Sequence, residues 1–219
     1  MNSCKLILFD LDGVTIDTEP LYAKGETRLF KEYGITIPEE DWKLFRGCTE
    51  ENFYDLSMNR YGITEDRSIF QNKGRAYVRE EFKKNLDFMS GFKSLIKRLN
   101  GQYSIGLVTA TPEYMFQWID ERLNLSGIFE HIVYGGMTEK GKPNPHPYLL
   151  GMRQFDMNAQ NTMIIEDSVH GIQAGLSANA RVVALTGSVD IEDMPPAHRI
   201  INSLNEIDVN FINSLFKTL

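Results

Sequence analysis

The sequence predicts an α/β protein in which a parallel β-sheet is interrupted by a helical insert. Leu6–Phe9 is a continuous apolar run, which is typical of a strand buried on both faces of a parallel sheet. Residues 19–88 lose this strand character and carry helix start and stop signals instead. Further apolar runs follow, separated by segments of helix length, as expected for alternating strands and helices. These strand candidates are residues 104–109, 131–135, 162–166 and 181–185, with a short one near Ile200 and Ile201.

The insert is expected to be a compact bundle of helices. The apolar face of the first helix stops at Gly34, Pro38 fits the first turn of the second helix, and Thr49 is a plausible N-cap for the third. A longer polar helix then brings the chain to Gly91. The aromatic residues Trp42, Phe45, Phe53 and Tyr54 fit a bundle core better than a ligand platform. We therefore expect a core domain of residues 1–16 and 89–219 and a helical domain of residues 17–88.

Composition narrows the class of protein. The 219 residues carry a net charge of −7 and contain no dense Lys/Arg run, which argues against a nucleic-acid or anionic-membrane partner. Cys4 and Cys48 lack metal-ligand spacing, so neither a disulfide framework nor a zinc site is indicated. The apolar run near the N-terminus is too short for a signal peptide, and no window approaches a membrane span. A cytoplasmic protein is therefore expected, and we also expect a monomer.

Four carboxylates follow two of the predicted strands. Asp10 and Asp12 come directly after the first strand, and Glu166 and Asp167 end the strand at 162–166. Ligands of open α/β sheets bind outside the carboxyl ends of the strands, so these acids are expected to share one site. Such hard oxygen ligands suit Mg²⁺, which also takes a substrate phosphate as a ligand. The alternatives are a solvated turn for the first pair, and for the second a helix cap formed by Asp167 or Ser168.

A threonine and a lysine are expected at the same sheet edge. The hydroxyl of Thr109, at the end of a strand, and the N–H groups that follow it, beginning with Ala110, could donate to a phosphoryl oxygen. Lys142 lies in a loop stiffened by Pro143 and Pro145, which would fix its cation in place. A solvated surface lysine is the alternative. Together with the acids, these residues predict a phosphate-binding pocket.

The order of these motifs, DxD, then Thr, then Lys, then ED, resembles the haloacid dehalogenase superfamily of phosphotransferases. The similarity covers nearly the whole chain. FDLDGVTIDTEP with an immediate helical insert, then LVTAT, KPNP and IIEDSVHGIQAG, is similar to the subfamily with a helical cap. That subfamily includes β-phosphoglucomutase, phosphoglycolate phosphatase and sugar-phosphate phosphatases. The resemblance implies a Rossmann-like core, a helical cap, and a Mg²⁺-dependent phosphatase that hydrolyses a small phosphorylated metabolite, such as a sugar phosphate, through an aspartyl-phosphate.

The resemblance also implies a role for each motif residue. Asp10 would be the nucleophile and Asp12 the general acid/base. Thr109 and Lys142 would hold the phosphate, with Ala110 beside them. The implied metal ligands are Asp10, Asp12 through its backbone carbonyl, Asp167 and Glu166.

Departures from the family pattern favour a phosphatase over a mutase. Tyr22 occupies the place of an assisting histidine in the mutases, and Glu50 lies near the place of their phosphate-gripping arginine. The resemblance places the loop of Arg46 and Gly47 toward the active site, so Arg46 is expected to contact the substrate, with Gly47 beside it. A solvated arginine at a helix end is the alternative. Asp12 argues against a dehalogenase, since dehalogenating members typically lack this second aspartate. A β-phosphoglucomutase-like phosphotransferase, a receiver-like phosphoaspartate switch and a catalytically silent interaction protein remain as alternatives.

Overall fold

The computed structural model describes residues 3–45 and 50–217, apart from the side chain of Lys43. Within it the chain divides into two compact units. The first unit joins Met1–Asp17 to Asp87–Leu219, and the second is Thr18–Leu86. The first unit carries the β-sheet and the second carries helices.

The first unit is built on a parallel sheet of six strands in the order β3-β2-β1-β4-β5-β6. This is the order of a doubly wound Rossmann-like sheet, so the predicted fold class is confirmed. The strands are β1 (Leu6–Phe9), β2 (Ser104–Pro112), β3 (His131–Gly135), β4 (Thr162–Glu166), β5 (Arg181–Leu185) and β6 (Arg199–Ile201). The helices of this unit are α5 (Phe92–Leu99), α6 (Glu113–Leu123), α7 (His146–Gln154), α8 (Val169–Ser177) and α9 (Val209–Phe216).

The buried strands explain the apolar runs in the sequence. Every residue of β1 and β4 is buried, because each strand has a neighbour on both sides and helices on the sheet faces. One core cluster joins Leu8 of β1 and Ile164 of β4 to Ile172 of α8, and to Tyr148 and Met152 of α7. Helices α7 and α8 are thereby fixed against the strands whose ends carry the motif residues.

The second unit contains helices α1 (Glu19–Glu32), α2 (Glu39–Phe45), α3 (Glu50–Tyr61) and α4 (Arg67–Asn85). Helices α1 and α4 approach closely at Gly25, where a Cβ atom would lie 2.8 Å from a methyl carbon of Val78. Phe45, Phe53 and Tyr54 are buried in an aromatic core, and Trp42 packs against it, so the prediction of a bundle core is confirmed. The predicted N-cap Thr49 lies outside the described residues.

The strand order determines where a ligand can bind. Strand β1 lies between β2 and β4, and the chain continues outward from these two strands in opposite directions along the sheet. Such a switch point opens a crevice at the carboxyl ends of the strands. Asp10 directly follows β1 and Glu166 ends β4. Strand β2 runs on to Pro112, so Thr109, expected at the end of its strand, lies three residues before that end, just after the last pair in register with β3. No helix in the described part of the chain combines the length and the apolar character that a membrane span requires.

Candidate active site

The backbone after β1 fixes Asp10 at the sheet edge. Its N–H donates to the carbonyl of Ile165 at 3.0 Å, and its own carbonyl accepts from the Thr15 hydroxyl at 2.6 Å. The turn that follows requires Gly13, whose φ is +76°. A Cβ atom on Gly13 would lie 1.9 Å from Oδ2 of Asp167. The turn after the first strand therefore brings the loop of Asp10 and Asp12 against the acid that follows the fourth strand.

Three carboxylates converge at this edge. Asp10, Glu166 and Asp167 are buried, and each has an oxygen within 4.8 Å of an oxygen of the other two. Burial raises the pKa of Asp10 well above its usual range, and the charge of Glu166 raises it further. Burial and the charge of Glu166 likewise raise the pKa of Asp167 to about 7. The repulsion between these hard oxygens is what a divalent cation would offset, so the donor set fits Mg²⁺.

Lys142 supplies a fixed positive charge to this cluster. Its Nζ donates to Oδ1 of Asp10, to Oε1 of Glu166 at 2.6 Å and to the carbonyl of Val108 at 2.9 Å. Its side chain is only 6% exposed, which excludes the alternative of a solvated surface lysine. Burial opposes its charge, but the carboxylates of Asp10 and Glu166 outweigh this effect and raise the pKa of Lys142. Lys142 therefore remains a cation beside Asp10.

Glu166 is held by protein donors on both of its oxygens. Oε1 accepts from Lys142 and, at 2.7 Å, from the hydroxyl of Tyr148. Oε2 accepts from the N–H groups of Asp167 and Ser168 at 3.1 and 3.2 Å, and from the Ser168 hydroxyl at 3.0 Å. Burial disfavours its charge, but Lys142 outweighs burial and lowers the pKa of Glu166. This geometry makes Glu166 the counterion of Lys142, and its direct contact with a metal stays a prediction.

Of the two residues that follow β4, Ser168 caps the next helix and Asp167 lies in the site. Ser168 is the N-cap of α8, since its hydroxyl oxygen accepts from the N–H of Gly171 at 3.0 Å. The carboxylate of Asp167 instead accepts from the hydroxyl of Ser188, which follows β5. Of the two capping candidates in the sequence, Ser168 is the one that caps. Asp167 is left beside Asp10 and Gly13.

The end of β2 brings Thr109 and Asp12 into one hydrogen-bonded chain. Thr109 is buried, and its Oγ1 accepts from the N–H of Thr111 at 2.9 Å. The hydroxyl of Thr111 donates to Oδ2 of Asp12 at 2.7 Å. Ala110, between the two threonines, is exposed. A Cβ atom on Gly135 would lie 2.3 Å from the Ala110 carbonyl oxygen, so the glycine allows β3 to approach this segment closely.

Most of the predicted site residues lie together in the structure. Asp10, Lys142, Glu166 and Asp167 form one cluster, and Thr109 and Asp12 are joined through Thr111 beside it. Their chemical roles stay predictions. The predicted substrate contacts Arg46 and Gly47 lie outside the described residues.

Three residues that support the site have no motif in the sequence to mark them. They are Thr111, Tyr148 and Ser188. Thr111 stands two residues after Thr109, and that spacing was the only available signal. In the sequence, Tyr148 is typical of an aromatic residue in the core, and Ser188 lies 21 residues from its partner Asp167. Both contacts therefore become apparent only in the folded structure.

The motif order and this arrangement of residues correspond to one known family. The family model for haloacid dehalogenase-like hydrolases matches residues 7–185. The chain belongs to this family, which confirms the resemblance seen in the sequence.

Two relatives agree with the family, and a solved structure agrees with the fold. The chain is 27% identical over 173 residues to the phosphorylated carbohydrates phosphatase of Thermotoga maritima, covering 78% of this chain and 80% of the relative. It is 26% identical over 184 residues to 6-phosphogluconate phosphatase of Escherichia coli, covering 83% and 82%. A HAD hydrolase structure from Entamoeba histolytica matches with a TM-score of 0.85 and 22% identity, covering 98% and 100%. The structural match shows the same fold. The family and the two phosphatases support the predicted enzyme class, a phosphoric monoester hydrolase.

Proposed function

We propose that this enzyme is a Mg²⁺-dependent phosphatase that hydrolyses a small phosphorylated carbohydrate through an aspartyl-phosphate on Asp10. One observation carries the proposal: a buried carboxylate at the end of the central strand is held beside a buried lysine and a second buried acid. This arrangement supplies a nucleophile, a cation for the phosphoryl charge and carboxylates for a metal. The net charge of −7 argues against nucleic-acid and anionic-membrane partners. The proposal includes a cytoplasmic monomer that acts on a small metabolite.

The proposed reaction has two displacements at phosphorus. A carboxylate oxygen of Asp10 attacks phosphorus while Asp12 gives its proton to the departing oxygen of the substrate. Asp12, now a carboxylate, takes a proton from the water that attacks the aspartyl-phosphate and releases Asp10. Thr109 and the N–H of Ala110 donate to the phosphoryl oxygens, and Lys142 offsets their charge. Positioning and electrostatic stabilisation supply most of the catalysis in phosphoryl transfer, which agrees with the fixed position of Lys142.

The metal would be held by Asp10, Asp167 and the backbone carbonyl of Asp12. When bound, Mg²⁺ offsets negative charge on the phosphoryl group and on these carboxylates. Glu166 contributes indirectly, because its carboxylate keeps Lys142 charged and holds it in place.

The relatives support a carbohydrate leaving group. Their names describe phosphatases of phosphorylated carbohydrates, of 6-phosphogluconate and, at 25% identity over 218 residues, of hexitol phosphate. A mutase must also hold a second phosphate. Glu50, near the position of the mutase arginine, instead presents a negative charge paired with Arg75 at 2.7 Å, and Tyr22 packs edge-on against Phe82. Both observations favour hydrolysis.

Product analysis tests this function. Purified enzyme with Mg²⁺ is incubated with a panel of hexose, pentose and hexitol monophosphates, and both inorganic phosphate and sugar-phosphate isomers are measured. We expect stoichiometric phosphate release from at least one monophosphate. A second reaction with β-glucose 1-phosphate and its bisphosphate activator should show no rapid isomerisation. Isomerisation without net phosphate release would establish the mutase alternative, and no turnover of any phosphate ester would favour a catalytically silent protein.

Metal binding should depend on pH in a defined direction. Without metal, folded Asp167 keeps its proton up to about pH 7, whereas in the unfolded chain it loses that proton near its usual pKa of 3.8. The folded state therefore binds more protons between these values, and this group lowers stability as pH rises through that window. Asp167 must lose this proton before its carboxylate could bind Mg²⁺, so we expect a larger rise in the unfolding temperature on adding Mg²⁺ at about pH 8 than at about pH 5.

Thermal unfolding with and without Mg²⁺ measures this effect, and Asp167→Asn is the matched control. The variant retains a side chain of the same shape that can still accept from Ser188, yet should lose most of the Mg²⁺-dependent rise. The same rise at both pH values, or in the variant, would remove Asp167 from the metal site.

A further inference from the structure

Strand β2 is distorted where it enters the active site. Val108 pairs with Val133 of β3 in register, but the next pair is Pro112 with Gly135. Residues 109–111 of β2 therefore lie opposite the single residue Tyr134. Bulges of this kind re-aim side chains and are frequent beside active sites. Here the bulge brings the side chain of Thr111 to Asp12, on the loop after the neighbouring strand.

Thr111 makes two hydrogen bonds that join two parts of the proposed chemistry. Its N–H donates to Oγ1 of Thr109 at 2.9 Å, so the Thr109 hydroxyl accepts through its oxygen and keeps its own proton to donate. Its hydroxyl donates to Oδ2 of Asp12 at 2.7 Å. Thr111 is only 6% exposed, so neither bond is open to competition from bulk water.

We propose that Thr111 is a positioning residue for proton transfer by Asp12. This inference rests on the proposed function, in which Asp12 is the general acid and base. The Thr111 hydroxyl donates to Oδ2 of Asp12, which favours the form of the neutral carboxyl group in which Oδ2 is the carbonyl oxygen and Oδ1 carries the transferable proton. It also fixes the rotation of the carboxyl group, which sets the direction in which that proton points.

The proton balance shows which step depends on this contact. As the bond between phosphorus and Asp10 forms and the bond to the leaving oxygen breaks, the proton moves from Oδ1 of Asp12 to that oxygen. In the second step the attacking water gives its proton back to Asp12 as the bond between phosphorus and Asp10 breaks. Thr111 donates to Oδ2 throughout and is unchanged at the end.

Leaving-group chemistry separates this role from simple packing. A nitrophenolate leaves without needing a proton, whereas the alkoxide of a sugar or an alkyl phosphate requires one. The ratio kcat/KM reports the steps up to the first irreversible one, which is the transfer of the phosphoryl group to Asp10. A defect in proton donation therefore lowers kcat/KM for an alkyl phosphate and spares an aryl phosphate. A packing defect lowers both.

The test compares kcat/KM for glycerol phosphate, or for the best sugar phosphate found, with that for para-nitrophenyl phosphate. Thr111→Val keeps the shape of the side chain and removes the donor, and Thr111→Ser keeps the donor. We expect Thr111→Val to lower kcat/KM for the alkyl substrate by about 10- to 100-fold and for the aryl substrate by only about 2- to 3-fold. Thr111→Ser should restore most of the alkyl activity. Thr111→Ala replaces the valine variant if the latter does not fold.

Asp12→Asn separates failure of this inference from failure of the proposed function. Like Thr111→Val, it should lower kcat/KM more for the alkyl substrate than for the aryl substrate, and the difference should be larger than in Thr111→Val. If Asp12→Asn lowers kcat/KM equally for both substrates, Asp12 is not the general acid. The proposed mechanism then fails together with the inference. Suppose that Asp12→Asn lowers kcat/KM mainly for the alkyl substrate. If Thr111→Val then lowers kcat/KM equally for both substrates, or if Thr111→Ser loses as much alkyl activity as Thr111→Val, only the positioning role of Thr111 is overturned.

Discussion

Replacing Asp10 by asparagine will lower kcat by about 10⁴-fold or more. Asparagine has the same shape and can still accept a hydrogen bond from Lys142, but its amide oxygen is a far weaker nucleophile than a carboxylate. The reaction then loses the covalent route through Asp10. The effects of substituting residues that act as one catalytic unit are not additive. The loss of kcat in Asp10→Asn should therefore be nearly as large as the loss on replacing Asp10 and Asp12 together.

The fold should survive the Asp10→Asn substitution. The pKa of Asp10 is raised, so its charge is disfavoured in the buried site, and Lys142 keeps Glu166 as a partner. We expect the unfolding temperature to change by no more than a few degrees. Asp17→Asn, an exposed aspartate in the segment that follows the same strand, is the control and should retain full activity.

Steady-state kinetics and mass spectrometry of the acid-quenched enzyme measure the outcome. Wild-type enzyme quenched during turnover should carry one phosphoryl group, and Asp10→Asn should carry none. If Asp10→Asn retained more than about a tenth of wild-type kcat, the covalent mechanism would be untenable.

The sequence revealed the strands because burial on both faces leaves a simple pattern. Residues 6–9 and 163–165 are fully buried apolar runs, because strands with neighbours on both sides and helices on both faces favour apolar residues without alternation. The acids that follow them were visible for a related reason. Charged residues directly after buried strands must lie at the sheet edge, and the strand order then determines which of them meet.

The supporting contacts of the site could not be predicted in the same way. Tyr148 is fully buried in the apolar core, so its sequence context indicates packing, although its hydroxyl donates to Glu166. The contact between Thr111 and Asp12 depends on a bulge in β2, and a bulge depends on the register with β3. Glu166 and Asp167 look equivalent in sequence. Their different partners, Lys142 for Glu166 and Ser188 for Asp167, appear only once the chain is folded.

Removing the charge of Lys142 should have the second large effect, on stability as well as on activity. Lys142 contacts both Asp10 and Glu166, and Glu166 is wholly buried. In Lys142→Met the alkyl chain is largely kept, but Glu166 is left charged without its counterion. Breaking a buried ion pair from one side typically costs about 3–5 kcal/mol of folding free energy. Activity should fall by at least about 100-fold, since the phosphoryl charge also loses its fixed cation.

The pH dependence of this loss follows from Glu166. Lys142 lowers the pKa of Glu166 in the folded enzyme, whereas burial without Lys142 would raise it above the unfolded value. The folded variant then binds a proton that the unfolded chain releases, so its stability falls as pH rises above the usual glutamate range. The stability difference between wild type and Lys142→Met should therefore be larger at about pH 8 than at about pH 5.

A second substitution separates the loss of stability in Lys142→Met from its loss of activity. In Lys142→Met/Glu166→Gln no buried glutamate charge remains, and the glutamine can still accept from Tyr148 and Ser168. We expect the double variant to regain about half or more of the lost unfolding free energy and none of the lost activity.

Lys140→Met, an exposed lysine two residues earlier, controls for the loss of a positive charge in this loop. Denaturant unfolding and kcat/KM are measured for all three variants. If Lys142→Met were as stable as wild type, Glu166 would not depend on Lys142 as its counterion. If the double variant recovered activity, Lys142 would serve only to neutralise Glu166, and the phosphoryl charge would have to be offset by other groups.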